Sequence, residues 1–454
     1  MSFDVREQRV VVVGGGRSGR AAAELLVSRG ARVTLTDLEP VDRAAELTAR
    51  GITLDVGPHR PELLAGAHLI VLSPGVSPDQ PVIAAARRGG VPVIGELELA
   101  SRWLSGRIVA ITGTKGKSTT STLTARILQE AGFDAPAGGN IGTALSTQVS
   151  RSSPASIHVV EVSSFQLEMT DTFHPWIAVL LNLSADHLDR HGTFEAYSAA
   201  KARVFANQTA EDWAVINADD PATLALARAG RARRLDFALD TALDDGVTTA
   251  AGAIVRRRGG QVTPLVPLTS VRLPGRHLLA DVLAAVSVAS VVGVPPDVMR
   301  AAIEDFSGLE HALERVATVG DVQFVNDSKA TNIAAARRAL ESFDGGVVVI
   351  LGGRFKGGRF EDLRDVVRAH AAGVVAIGEA APLIHAALDD VVPVRDAGSM
   401  ADAVQRAAAL VRPGGVVLLA PACASFDMFK DYADRGRAFK AAVAKMQTEE
   451  VRQR

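Results

Sequence analysis

Read for its apolar and polar positions, the chain is a succession of short apolar runs, each ending in a polar or glycine-bearing turn and followed by an alanine-rich, helix-compatible segment. Short, mostly apolar runs rich in β-branched residues predict strands buried on both faces, and their alternation with helices predicts mainly parallel sheets. Such runs stand at Val10–Val13, Arg32–Thr36, Leu69–Leu72 and Val91–Ile94, then at Ile108–Ile111, at Ile157 onward, at Ile177–Leu181 and at Trp213–Ile216. Residues 240–270 break the pattern and predict short strands or hairpins. Helices are expected over Phe194–Phe205, over Leu279–Val292 and around Ala301–Phe306. From Leu309 the alternation resumes, with strands at Val322–Val325, Val347–Leu351, Val374–Ile377, Val391–Val394 and Val416–Leu419. The expected fold is α/β in three domains, each a mainly parallel sheet with flanking helices: 1–95, 96–308 and 309–454.

The turns carry the chemistry. The run Ile108–Ile111 leads into Gly113-Thr114-Lys115-Gly116-Lys117-Ser118-Thr119 and then a helix. Glycines let backbone N–H groups converge, the helix brings its positive end, and Lys117 adds a full charge, so this loop is built for phosphate. Ser118 or Thr119 can place a hydroxyl on a Mg²⁺ ion that bridges phosphates. The pattern G-x-x-x-x-G-K-[ST] is incomplete, because Ile111 stands at its first glycine. Glu161 closes a strand beside the loop, the position of a magnesium-holding acid in nucleotide hydrolases.

In the first domain, Gly14, Gly16 and Gly19 fit G-x-G-x-x-G after a strand, with Asp37 at the end of the next strand. Alone, this spells a dinucleotide-binding unit for NAD or FAD, although the same glycines serve any pyrophosphate. Ser73-Pro74-Gly75 and Asn140 lie in further turns. His187 and His191 stand four apart, but the intervening residues lack the acid of H-E-x-x-H, which favours His187 as a single magnesium ligand over structural zinc. Lys201, on the helix after Phe194, reads from the residues alone as a solvated surface lysine. In the third domain Lys329, Thr331, Lys356 and Ser425 fall along one sheet rim and offer cations and donors to a carboxylate ligand.

Composition narrows the class. The 454 residues are 47% apolar and 22% charged, with a net charge of −2, which gives no basis for binding nucleic acid or anionic membrane. A single cysteine, Cys423, excludes an intrachain disulfide, and no apolar run approaches the ~18 residues of a membrane span. A cytoplasmic, monomeric enzyme is expected.

The segments TGTKGKST, EVSSFQLE, NLSADHLDRHG, NDSKATN, LGGRFKGG and PACASFD, in this order over essentially the whole length, resemble the Mur ligase family in its glutamate-adding muramoyl branch. The resemblance implies ATP-driven joining of D-glutamate to UDP-N-acetylmuramoyl-L-alanine through an acyl phosphate, with two Mg²⁺ ions and a carbamylated Lys201. It implies that Gly113, Thr114, Lys115, Gly116, Lys117, Ser118, Thr119, Asp281, His311, Asp327 and Lys329 contact ATP, and that Ser118, Glu161, His187 and Lys201 hold metal. Lys117, His187, Lys201 and Lys329 would be catalytic. Arg17, Ser18, Asp37, Ser73, Gly75 and Asn140 would contact the UDP-muramoyl substrate, turning the first glycine turn from NAD to uridine nucleotide, and Thr331, Lys356, Ser425 and Tyr432 would surround glutamate. Ala312 stands where the family commonly has Arg, and Leu278 and Asp281 where it has Asn. Rival readings are an L-glutamate-adding ligase, a folylpolyglutamate synthase, an NAD-dependent oxidoreductase and a nucleotide sensor.

Overall fold

A computed structural model describes residues 3–228 and 230–453. Two compact units divide them: one runs to Val271 and takes in Ala280–Asp305, the other comprises Arg272–Leu279 and the chain from Phe306 onward.

The first unit holds two sheets. Five parallel strands form the first, in spatial order Thr53–Val56, Arg32–Asp37, Arg9–Val13, Leu69–Leu72 and Val93–Gly95. Val10 to Val13 are buried throughout, because this central strand is covered by helices on both faces, as parallel sheets require. The edge strand Val93–Gly95, paired with Leu69–Leu72, starts two residues later than the apolar run suggested. The second sheet has nine strands, ordered Gln261–Pro267, Ala253–Arg258, Gly246–Ala250, Arg233–Phe237, Trp213–Asn217, Ile177–Leu180, Arg107–Thr112, Ile157–Glu161 and Ala137–Gly139. Seven of these, from Gly246–Ala250 to Ala137–Gly139, are joined in parallel register, and the residues from 246 to 267 form an antiparallel meander on one edge. Arg107–Thr112 lies between two parallel neighbours, so the loop that follows it emerges at the carboxyl edge of the sheet beside the ends of both.

The second unit has one sheet of six strands: Glu314–Val319, Val322–Asn326, Val416–Leu419, Val347–Gly352, Ala371–Ile377 and Val394–Ala397. All pair in parallel except the edge strand Glu314–Val319, which the apolar pattern missed because none of its residues is fully buried. The last strand begins at Val394, where the run Val391–Val394 was expected to end.

Helix starts are set by side chains that accept orphan N–H groups. Thr193 caps Phe194–Ala202, Asp220 caps Pro221–Ala227 and Asn332 caps Ile333–Leu340. In EVSSFQLE, Ser163 and Gln166 form a reciprocal capping box, so half of that motif fixes the turn that follows Glu161.

Candidate functional site

At the carboxyl end of Arg107–Thr112 the backbone turns sharply into the helix Lys117–Glu130. Gly116 caps this helix in the left-handed region at φ 83°, and a Cβ there would fall 2.0 Å from Oδ1 of Asp281, so only glycine fits. Asn182, which follows the strand Ile177–Leu180, clamps the turn. Its carbonyl accepts from Thr114 N (2.9 Å), its side-chain oxygen accepts from Lys115 N (2.8 Å), and its amide donates to Lys115 O (3.1 Å). Lys117 folds back so that Nζ donates to the carbonyls of Gly113 and Thr114, each at 3.0 Å. This places a cation inside the ring of backbone groups.

Ser118, Glu161 and Asn140 form a connected chain beside the loop: Ser118 Oγ donates to one Glu161 oxygen and Asn140 Nδ2 to the other, each at 2.7 Å. Lys201 arrives from the helix Phe194–Ala202. It is not a surface lysine: only 2% of it is exposed, with Nζ donating to Gly113 O (2.8 Å) and Thr112 Oγ1 (3.4 Å) over the Tyr197 ring. Burial first, and then the charge of Lys117, push its amine down to about 7. Tyr197 reaches the loop through a hydroxyl contact with Thr114 Oγ1 at 3.0 Å, and Lys115 pairs with Asp186 at 3.5 Å. Thr119 is buried on the helix.

The hydroxyl of Ser118 and the carboxylate of Glu161 are hard oxygen donors, which fit Mg²⁺, and the positively polarised helix end beside them fits the phosphate that such an ion accompanies. Among the described residues no three His, Cys, Asp or Glu side chains converge as a metal cluster. An ion here would therefore take one or two protein ligands and complete its shell from phosphate and water, the usual mode for Mg²⁺.

The structure does not bring His187 into hydrogen-bond contact with Glu161 or Lys201. It lies exposed, in left-handed conformation, with its ring 4.9 Å from Phe165. The buried histidine of this segment is His191, whose ring nitrogens meet Ser164 Oγ and Glu168 Oε1, each at 3.0 Å, and whose proton affinity burial lowers. Asp281 is buried against Gly116, and burial pushes its carboxyl up to about 8.

At the first sheet's glycine turn, the Gly15 N–H donates to the Asp37 carboxylate, whose other oxygen accepts from Glu39 N (3.0 Å). Asp37 thus holds the turn itself. A Cβ on Gly19 would fall 1.8 Å from Gly14 O, which explains why the helix can start so close to the strand. Ser73 is buried beside Gly14, Gly75 faces open space, Arg17 is exposed and Ser18 is half-buried. A cleft of about 700 Å³ in this unit, lined by Phe3, His68, Arg87 and Arg203 among others, lies at the amino ends of the first sheet's strands, away from this turn.

In the second unit the polar turns gather at the carboxyl ends of adjacent strands. Asp327 accepts from Leu313 N (3.3 Å), and burial raises its carboxyl to about 7. Lys329 and Lys356 are exposed, Thr331 is half-buried and Ser425 is 2% exposed. His311 is buried at φ 65° between Asn326 (2.9 Å) and the edge of the Tyr432 ring (6.2 Å). Arg435, which no sequence motif singled out, is fully buried beneath these turns.

A phosphate-binding loop on a parallel sheet, a second glycine turn on another and a cation-bearing rim on a third define a multidomain nucleotide-binding α/β protein. Three family descriptions match in order: "Mur ligase MurD-like, N-terminal domain" over residues 8–95, "Mur ligase middle domain" over 111–289 and "Mur ligase, glutamate ligase domain" over 313–423. The chain belongs to the Mur ligase family. It is 43% identical to the UDP-N-acetylmuramoylalanine--D-glutamate ligase of Acidobacterium capsulatum, with 97% of each chain covered. It is equally similar, at 43%, to the protein of that name from Koribacter versatilis, over 99% of this chain and all of that one. Among solved structures, the UDP-N-acetylmuramate-alanine ligase MurC of Thermotoga maritima shares the fold with a TM-score of 0.60 at 20% identity, covering 97% of this chain and 100% of that one. MurF ligase of Thermotoga maritima in complex with ADP does so with a TM-score of 0.59 at 18% identity, covering 100% and 97%.

Proposed function

We propose that this chain is the ATP-dependent ligase that joins D-glutamate to the L-alanyl carboxylate of UDP-N-acetylmuramoyl-L-alanine, in the synthesis of peptidoglycan precursors. The observation that carries the reading is the phosphate loop, with Lys117 folded into it and the Ser118–Glu161–Asn140 chain beside it. Names of relatives that align over nearly the full length support the choice of substrates.

A carboxylate is a poor electrophile until its oxygen is phosphorylated. The L-alanyl carboxylate attacks the γ-phosphorus of ATP, ADP leaves, the glutamate amine adds to the acyl carbon, and phosphate departs from the tetrahedral intermediate. This chain's part is positioning and charge. Backbone N–H groups of residues 113–119 and the Lys117 ammonium hold the phosphates. Ser118 and Glu161 would hold Mg²⁺, which supplies positive charge to the transferred phosphoryl group.

Lys201 fits a further role. Its amine is buried among carbonyl and hydroxyl acceptors with no carboxylate in ion-pair distance among the described residues, which favours the neutral form. A neutral amine adds to CO₂, forming an N–C bond and releasing a proton, and the resulting carbamate is an anionic oxygen ligand suited to a second Mg²⁺. Arg17, Ser18, Ser73, Gly75 and Asn140 serve the UDP-muramoyl substrate, with Asp37 acting through the turn it holds. Asp281, His311, Asp327 and Lys329 serve ATP, and Thr331, Lys356, Ser425 and Tyr432 serve glutamate. Domains divided at 95/96 and 308/309 carry these three tasks, in a cytoplasmic monomer; no helix among the described residues is long and apolar enough to cross a membrane.

The test is ADP formation with a panel of amino acids. Turnover should require UDP-N-acetylmuramoyl-L-alanine and D-glutamate together. Equal turnover with L-glutamate or another amino acid, or with a folate acceptor, would overturn the assignment.

A further inference from the structure

Arg435 lies in the first turn of the last helix, Tyr432–Gln453, and is the largest fully buried side chain among the described residues, at 0% exposure. Burial lowers its proton affinity only to about 10, so the guanidinium stays charged at neutral pH. Buried charges are ordinarily paired with an opposite charge. This one is not: among the described residues no carboxylate lies within ion-pair distance, and Asp427 acts on it only at longer range.

Its N–H groups go instead to one hydroxyl and three carbonyls. Nε donates to Ser328 Oγ (3.0 Å) and Nη2 to Ser328 O (2.9 Å). Both Nη1 and Nη2 donate to Cys423 O at 3.1 Å, and Nη1 reaches Gly352 O at 3.5 Å. These acceptors stand at or just past the carboxyl ends of three strands that are neighbours in the sheet: Val322–Asn326, Val416–Leu419 and Val347–Gly352. Each anchored turn leads directly to residues assigned above to the amino-acid and nucleotide sites: Asp327, Lys329 and Thr331 around Ser328, Lys356 after Gly352, and Ser425 after Cys423.

A planar group with five fixed donors is suited to holding three loops in one relative position. Holding them does not require a net charge, and the charge is costly where it lies. A charge that no direct ion pair neutralises beneath a rim is useful when the ligand of that rim is itself anionic, because attraction is screened little in a buried setting. We propose that Arg435 is the positioning residue of the amino-acid site: it fixes the three loops that carry the site and biases that rim toward a dicarboxylate substrate. The proposal rests on the functional reading given above. Fully buried beneath these turns, Arg435 acts through Ser328, Gly352 and Cys423.

The experiment is steady-state kinetics of the full-length enzyme with Arg435→Lys and Arg435→Gln, varying D-glutamate and UDP-N-acetylmuramoyl-L-alanine separately, with thermal melting as a check of folding. Arg435→Lys keeps the charge and loses most of the loop contacts, and should raise the glutamate KM on the order of tenfold. Arg435→Gln loses both, and should raise it by roughly a further tenfold while eroding the preference for glutamate over glutamine, a discrimination that a merely structural tie would leave alone. The KM for the UDP-muramoyl substrate, whose proposed contacts belong to the other unit, should change by less than about twofold in both. An unchanged glutamate KM in either folded variant, or a parallel rise for both substrates, overturns the proposal. If Arg435→Gln does not fold, Arg435→Lys decides alone by the same criteria. A wild-type enzyme that ignores glutamate overturns the functional reading and this proposal together; a glutamate-dependent wild type with unresponsive variants overturns only the proposal.

Discussion

Lys117 and Lys201 show how two lysines of one site acquire different tasks from their surroundings. Lys117 curls over two carbonyls at the mouth of the loop, where the triphosphate is proposed to lie, whereas Lys201 is sealed behind it with the Gly113 carbonyl as its nearest acceptor. Removing the first takes charge from the triphosphate and no group from the core. Lys117→Ala should therefore fold normally and lose more than tenfold in kcat/KM, a loss of at least about 1.4 kcal/mol of transition-state stabilisation. A folded variant with more than roughly a tenth of the wild-type rate would remove Lys117 from the phosphate site. For Lys201 the expectation differs, since its proposed product is an anion. Lys201→Ala should be nearly inactive and regain part of its rate with added acetate, which can occupy the vacated space as a carboxylate. Normal activity in this variant, or an unmodified amine in crystals grown active with bicarbonate, would dispose of the carbamate.

Among the elements, the glycine turn after Arg9–Val13 was the most open to misreading. Its spacing matches a dinucleotide site, and the acid that in such sites holds ribose is instead engaged here with the Gly15 and Glu39 N–H groups. What the turn offers a ligand is backbone N–H and the end of the helix Arg17–Ser28, which suits any pyrophosphate. In a ligase without a redox step the ligand proposed for it is a uridine nucleotide. Titration of the protein with UDP-sugar and with NAD should show saturable binding of the first only, and tight NAD binding without a UDP effect would reverse the reading.

For the molecule as a whole, stability should carry the mark of acids whose burial outweighs the cations near them. Asp281 and Asp327 have folded-state affinities raised to about 8 and about 7, both because burial penalises the charged form. At these two carboxyls the folded chain binds more protons than the unfolded chain from about pH 4 to 8, and their contribution to stability declines as pH rises through that range. Lys201 acts oppositely and higher: its affinity is depressed to about 7, so the unfolded chain holds the extra proton between about 7 and 10.5 and stability gains with pH there. Asp281→Asn keeps the shape without the ionisation, so as pH rises from 5 to 8 the melting temperature of the ligand-free variant should shift upward relative to that of the ligand-free wild type. Parallel curves for the two proteins would mean that Asp281 does not titrate in this range.

Parallel α/β architecture, the phosphate loop and the approximate ends of most strands follow from the sequence alone, because they depend on local facts: β-branched runs, glycines at sharp turns and apolar faces at helical spacing. Long-range assembly decided the rest. The edge strand Glu314–Val319 has no apolar run to announce it and exists because Val322–Asn326 offers it a partner. Lys201 reads as a surface residue until the helix that bears it is laid against Tyr197 and Gly113, and His187 and His191, equivalent by spacing, are separated only by which of them Ser164 and Glu168 enclose. Arg435 lies in no motif, since its acceptors come from residues 328, 352 and 423, far apart in the chain and neighbours only because three strands end side by side. Burial and partnership are properties of the packed molecule, and they set the chemistry of these four residues.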